Sequence, residues 1–190
     1  IFRSGQEITL GDLPTGDNIY GEMTGLRRPQ THMGKTLLPP DYSMYDDKRF
    51  WKKMGGKAWR TVAVELSRGC PYTCTFCCVP MQQYQHKVSR DLFAKYKGID
   101  NKVLKQKDPY HREKPIPHFI NEVKEAIKKY NINFVFITDE SFLSMSSDRF
   151  EEFCEAYEKI KLPFFIETRV ETVKPGYARK LEKIGCAGIA

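Results

Sequence analysis

Three cysteines, Cys70, Cys74 and Cys77, fall in one short stretch, Cys70-Pro71-Tyr72-Thr73-Cys74-Thr75-Phe76-Cys77, with the spacing C-x3-C-x2-C. Thiolates tethered so closely suit a single metal centre, because the chain between them is too short to serve separate sites; structural disulfides fit the spacing poorly. A closed zinc site or an electron-transfer iron–sulfur site takes four protein ligands. The stretch supplies three well-placed ones, since Cys78 directly follows Cys77 and its side chain is expected to point elsewhere. A cluster held by three cysteines leaves one iron open to substrate or cofactor, as a catalytic metal requires. The spacing favours that open cluster over a closed site that recruits Cys78, Cys154 or a histidine from elsewhere.

The elements around this loop read as an α/β pattern. Thr61-Val62-Ala63-Val64-Glu65-Leu66 is β-branched and apolar enough for a buried strand, and Gly69 permits a tight turn into the cysteines. In α/β barrels chemistry gathers on the loops at the carboxyl ends of strands, where this loop lies. Residues 1–57 are rich in Gly, Pro, Asp and Thr and predict an irregular linker segment with room for one short strand; His32 is expected to be an exposed loop histidine. Residues 79–114 read as a long polar insertion with a short helix near Arg90 to Tyr96, a lid or a surface feature, in which His86 and His111 are expected to be solvated.

Beyond Pro117 a helix is predicted over His118 to Tyr130, with Phe119, Ile120, Val123, Ala126, Ile127 and Tyr130 on one face and Glu122, Lys124 and Lys128 opposite. Phe134-Val135-Phe136-Ile137 reads as a parallel strand buried on both faces, followed by Thr138-Asp139-Glu140 on the rim. A second helix starts near Asp148, with Phe150, Phe153, Cys154, Tyr157 and Ile160 toward the core, which makes Cys154 a packing residue. Phe164 to Arg169 predicts the next strand. A helix after Pro175 stops at Gly185, and Cys186 opens a fourth strand that ends in Ala187-Gly188-Ile189-Ala190. Repeated βα units imply a parallel sheet. A buried strand at the last residue predicts that the sequence is part of a longer protein.

The cysteine spacing, with an aromatic before the third cysteine, resembles the signature of the radical S-adenosylmethionine (radical SAM) superfamily. The lead-in Glu65-Leu66-Ser67-Arg68-Gly69-Cys70-Pro71 resembles the branch whose members often carry an upstream cobalamin-binding domain, and Pro39-Pro40-Asp41-Tyr42 looks like the connection from such a domain. The resemblance implies a partial (β/α)6 barrel over residues 58–190, truncated at the fourth strand. It implies that Cys70, Cys74 and Cys77 hold a [4Fe-4S] cluster, and that S-adenosylmethionine on the open iron is cleaved reductively to a 5′-deoxyadenosyl radical. Phe76 would lie near the adenine, or else anchor the loop as a core aromatic. Glu140, with Asp139 in reserve, matches the Gly-Gly-Glu region that contacts the cofactor's amino group, although the glycines are missing. Arg169 is a candidate for the cofactor carboxylate through a bidentate contact, or for a structural pair with Glu167. The implied partners are a small-molecule substrate and an electron donor such as flavodoxin or ferredoxin; methyl transfer through cobalamin and ring chemistry are both in view.

Composition limits the rival classes. The 190 residues hold 31 Lys and Arg against 24 Asp and Glu, a net charge of +7. That excess is spread over helix faces and the 79–114 segment with no basic stripe interleaved with stacking aromatics, which weighs against nucleic acid. An RNA-modifying radical enzyme is the reading that would use it; a non-catalytic iron–sulfur carrier or zinc module is the other alternative. No run of 18 apolar residues marks a membrane segment, and metal-type cysteine usage points to a reducing, cytoplasmic compartment.

Overall fold

The structure, a computed structural model, describes residues 41–107 and 109–190. The expectation for His32, and that for the Pro39-Pro40 part of Pro39-Pro40-Asp41-Tyr42, lie outside the described residues. The chain divides into two compact units, whose described parts are 41–71 with 111–190 in the larger and the residues within 72–110 in the smaller.

In the larger unit Trp51–Met54 (β1) and Lys57–Val64 (β2) form an antiparallel hairpin. Its turn is Gly55-Gly56, with φ of 55° and 76°, a left-handed conformation that glycine adopts without a Cβ clash. β1 is the short strand for which the sequence left room within residues 1–57. β2 then lies parallel to Phe134–Ile137 (β5), which is parallel to Phe164–Ile166 (β6) and that to Cys186–Ile189 (β7), giving the order β1-β2-β5-β6-β7. The chain is therefore mixed α/β with a mostly parallel sheet.

Three helices connect these strands: Ile116–Tyr130 (α3), Ser147–Tyr157 (α4) and Tyr177–Lys183 (α5). Their apolar stripes, among them Phe119 and Val123, Phe150 and Phe153, and Tyr177 and Leu181, meet Val62, Val64, Val135, Ile137, Phe164 and Ile166 of the sheet in one core. α3 ends where Asn131 takes a left-handed φ of 51° and its N–H reaches Ile127 O. Tyr42 ties the leading segment to this layer, donating from its hydroxyl to Ala63 O at 2.7 Å while Tyr130 Oη accepts from its N–H.

Four expectations need correction. Glu122 does not lie on a solvent face of α3; it is buried and pairs at 2.5 Å with the ammonium of Lys114, also buried. The reason is Lys114 N, which bonds to Leu66 O at 2.7 Å and draws the lysine inward beside the helix. The strand expected to reach Arg169 stops at Ile166, although Thr168 N still bonds to Ala190 O at 2.9 Å. β7 is half exposed rather than buried, because it has a neighbour on one side only among the described strands.

The fourth correction concerns residues 79–114. In the smaller unit most of this segment is helical: Val79–Lys97 (α1), then Asn101–Lys107 (α2). Pro80 sits in the first turn of α1, where its missing N–H costs nothing, and Gly98 closes the helix with a left-handed φ of 64°. The buried side of α1 is sparse, with Val79, Ser89, Arg90, Phe93 and Ala94, so its apolar residues trace no strong helical stripe.

Phe153 is wholly buried at the centre of the core, its ring against Phe119, Phe142, Tyr157 and Phe164. Phe153→Ala should cost about 3–5 kcal/mol, read as a lowered midpoint in urea unfolding.

Candidate functional site

The carboxyl ends of β2, β5 and β6 share one rim of the larger unit, and hydrogen bonds sew them together. Past β2 the chain turns into a two-residue strand, Ser67–Arg68 (β3), paired antiparallel with Arg112–Glu113 (β4). The residues after β5 close on this ribbon. Asp139 accepts from Leu66 N and from Ser67 Oγ, each at 2.7 Å, and is fully buried. Glu140, the next residue, is exposed and accepts from Gly69 N at 3.1 Å through Oε2 and at 3.3 Å through Oε1. Consecutive residues leaving a strand project to opposite sides. Both carboxylates thus reach the chain just ahead of Cys70, one from inside and one from the surface.

This division separates the two acidic candidates. Both oxygens of Asp139 are engaged by the chain, and burial outweighs those hydrogen bonds, pushing its carboxyl up to about 6 from 3.8. Glu140 keeps an exposed carboxylate beside the loop. Arg169, past β6, pairs with Glu171 at 2.6 Å rather than with Glu167. Thr168 fastens the same corner: its hydroxyl accepts from Leu143 N at 3.1 Å and lies 2.8 Å from Thr172 Oγ1.

Cys70 is buried and belongs to the larger unit, while Cys74 and Cys77 belong to the smaller. Cys77 N bonds to Cys74 O at 3.2 Å, and Val79 N reaches Cys77 Sγ at 3.5 Å as α1 begins. Among the described residues no group of three or more His, Cys, Asp or Glu is gathered for a metal ion. The donor set nonetheless fits an iron–sulfur cluster by its chemistry: three soft thiol ligands on one stretch, with a backbone N–H directed at one sulfur, a contact of the kind that tunes such clusters. Cys78 stands exposed at the N-cap position of α1, and Cys154 is packed in the core, where burial pushes its thiol up to about 11.

Phe76 is 93 % exposed, so it does not anchor the loop as a core aromatic. His86 lies edge-on to Tyr110, ring centres 5.6 Å apart. His111 is half-buried, not solvated as expected, and burial pulls its pKa below the ordinary value. Sequence reasoning missed it because the only signal was its place just before a two-residue strand. Among the described residues no helix is long and apolar enough to cross a membrane.

Residues 64–190 match the family model described as the radical SAM superfamily. No curated protein and no solved structure gives a significant match.

The perturbed Asp139 has a consequence in pH. The folded chain holds its proton more tightly than the unfolded chain, so its contribution favours folding most below about pH 4 and is lost as pH rises through about 6. In the cluster-free protein, unfolding free energy measured against pH should carry this downward component across that window, and Asp139→Asn should flatten it.

Proposed function

This chain belongs to the radical SAM superfamily, and on that premise we propose that Cys70, Cys74 and Cys77 hold a [4Fe-4S] cluster beside a site for S-adenosylmethionine. The observation that carries the reading is the match over residues 64–190, which takes in all three cysteines and the strand end from which their loop departs. Held by these three cysteines, the cluster would supply one electron for cleavage of the sulfonium S–C bond of S-adenosylmethionine, giving methionine and a 5′-deoxyadenosyl radical able to take a hydrogen atom from the substrate.

The chain's own groups have separable tasks. Asp139, through Leu66 N and Ser67 Oγ, holds the exit of β2 and so aims the loop. Glu140, exposed next to Gly69, is the carboxylate for the cofactor's ammonium. Asp139 was its reserve, and its two bonds to the chain argue for the structural part instead. Arg169 serves the cofactor carboxylate by exchanging its pairing with Glu171. Phe76, exposed on the loop, covers the adenine. The parallel strands β2, β5, β6 and β7 make up the first part of a (β/α)6 barrel. The substrate is a small molecule, the electron comes from a flavodoxin- or ferredoxin-like donor in the cytoplasm, and the reaction is cobalamin-assisted methyl transfer or a ring-forming rearrangement.

Anaerobic reconstitution with iron and sulfide should give iron–sulfur absorption that is absent from the Cys70→Ala, Cys74→Ala, Cys77→Ala triple variant, and the reduced spin signal should change when S-adenosylmethionine is added. A cluster whose spectrum ignores that cofactor would favour an electron carrier; tight zinc without iron would favour a binding module. Glu140→Ala should retain iron yet bind S-adenosylmethionine about tenfold more weakly, measured by equilibrium dialysis.

A further inference from the structure

His111 Nε2 is buried and has no hydrogen-bond partner among the described residues. Buried polar atoms in folded proteins are almost always paired, with protein, water or ligand, so such a nitrogen marks a place where a partner arrives. Its position follows from strand register. β3 and β4 pair Ser67 with Glu113 and Arg68 with Arg112, and the ladder ends there, with His111 directly before Arg112 and Gly69, where the chain turns at a φ of 86°, directly after Arg68. The N–H of Gly69 is the group that Glu140 engages, and the charge of Glu140 also acts on the His111 ring.

The chain's nearby charges are occupied elsewhere. Glu113 pairs with Arg149 at 3.4 Å, Arg149 also donates to Lys114 O, and Glu140 turns to Gly69. The other charges acting on His111 are those of Glu113, Arg149 and Arg112. An imidazole nitrogen can donate or accept one hydrogen bond, according to tautomer, so it suits an amino, hydroxyl or carboxylate group of a ligand.

From this juxtaposition we infer that His111 is a cofactor-binding residue, its Nε2 hydrogen-bonding a polar group of S-adenosylmethionine beside the Gly69–Cys70 end of the loop. The inference rests on the function proposed above. The cofactor is chosen over the substrate because Gly69 and Glu140, the groups His111 stands beside, are those at which that reading seats the cofactor. The ribbon β3–β4 thereby gains a binding role: it carries a residue from about 40 positions along the chain to the edge of the cysteine loop.

The test is S-adenosylmethionine binding to the anaerobically reconstituted protein, by equilibrium dialysis, alongside iron content and thermal midpoint. His111→Ala should weaken binding about tenfold with iron and midpoint unchanged, since Nε2 makes no hydrogen bond among the described residues to lose. His111→Gln, which restores a hydrogen-bonding group near the same place, should recover most of the affinity. Equal affinity in wild type and His111→Ala overturns the inference alone, as does a loss that follows a fallen midpoint and is not recovered by Gln. A wild-type protein that holds iron but binds no S-adenosylmethionine overturns the proposed function and this inference together.

Discussion

A buried carboxylate at the end of β5 closes on the end of β2. Asp139 takes the Leu66 N–H and the Ser67 hydroxyl, two groups more than seventy residues away in sequence, each at 2.7 Å. Leu66 lies past the last residue of the β2–β5 ladder, where a parallel strand runs out of partners for its N–H. A side chain takes over where the backbone stops. The direction in which the chain leaves β2, and with it the start of the cysteine loop, is set by this contact. Burial of the carboxyl raises its pKa against the pull of these hydrogen bonds.

The rest of the rim follows the same physical rule. Each strand end leaves polar backbone groups that must be satisfied, and each is met by a neighbour: Thr138 N by Val64 O, Phe142 N by Glu167 O, Leu143 N by the Thr168 hydroxyl. The beginning of the ribbon is held by Lys114 N on Leu66 O, and the Lys114 ammonium is then compensated by Glu122 inside the protein. A lone buried ammonium or carboxylate would be strongly unfavourable, so these two residues are coupled. The loop therefore leaves from a scaffold in which β2, β4, α3 and β5 constrain one another.

Local sequence carried much of the fold. Phe134–Ile137 is an apolar run of strand length, α3 and α4 show helical recurrence of apolar residues, and Gly185 follows the end of its helix where expected. α1 escaped the same reasoning because its residues favour helix one by one without forming an apolar stripe, and propensity is a weaker signal than periodicity. The smaller unit was thus read only as a polar insertion with one short helix near Arg90 to Tyr96.

The three-cysteine spacing is a property of the sequence alone, because ligands a few bonds apart are bound to stay near one another whatever the fold. So is the presence of two acidic residues after the second parallel strand. Which of the two faces water was decided only in three dimensions: Asp139 turns into the ribbon and Glu140 out toward Gly69, and that choice depends on the register of β5 against β2. The same holds for Glu122, which a helical wheel assigns to solvent until Lys114 arrives beside it, and for His111, which stands half-buried just before the strand that pairs with Ser67 and Arg68. Side-chain types and spacing act locally; burial and partnership are set by contacts between segments far apart in sequence, and short-range pattern carries no record of those.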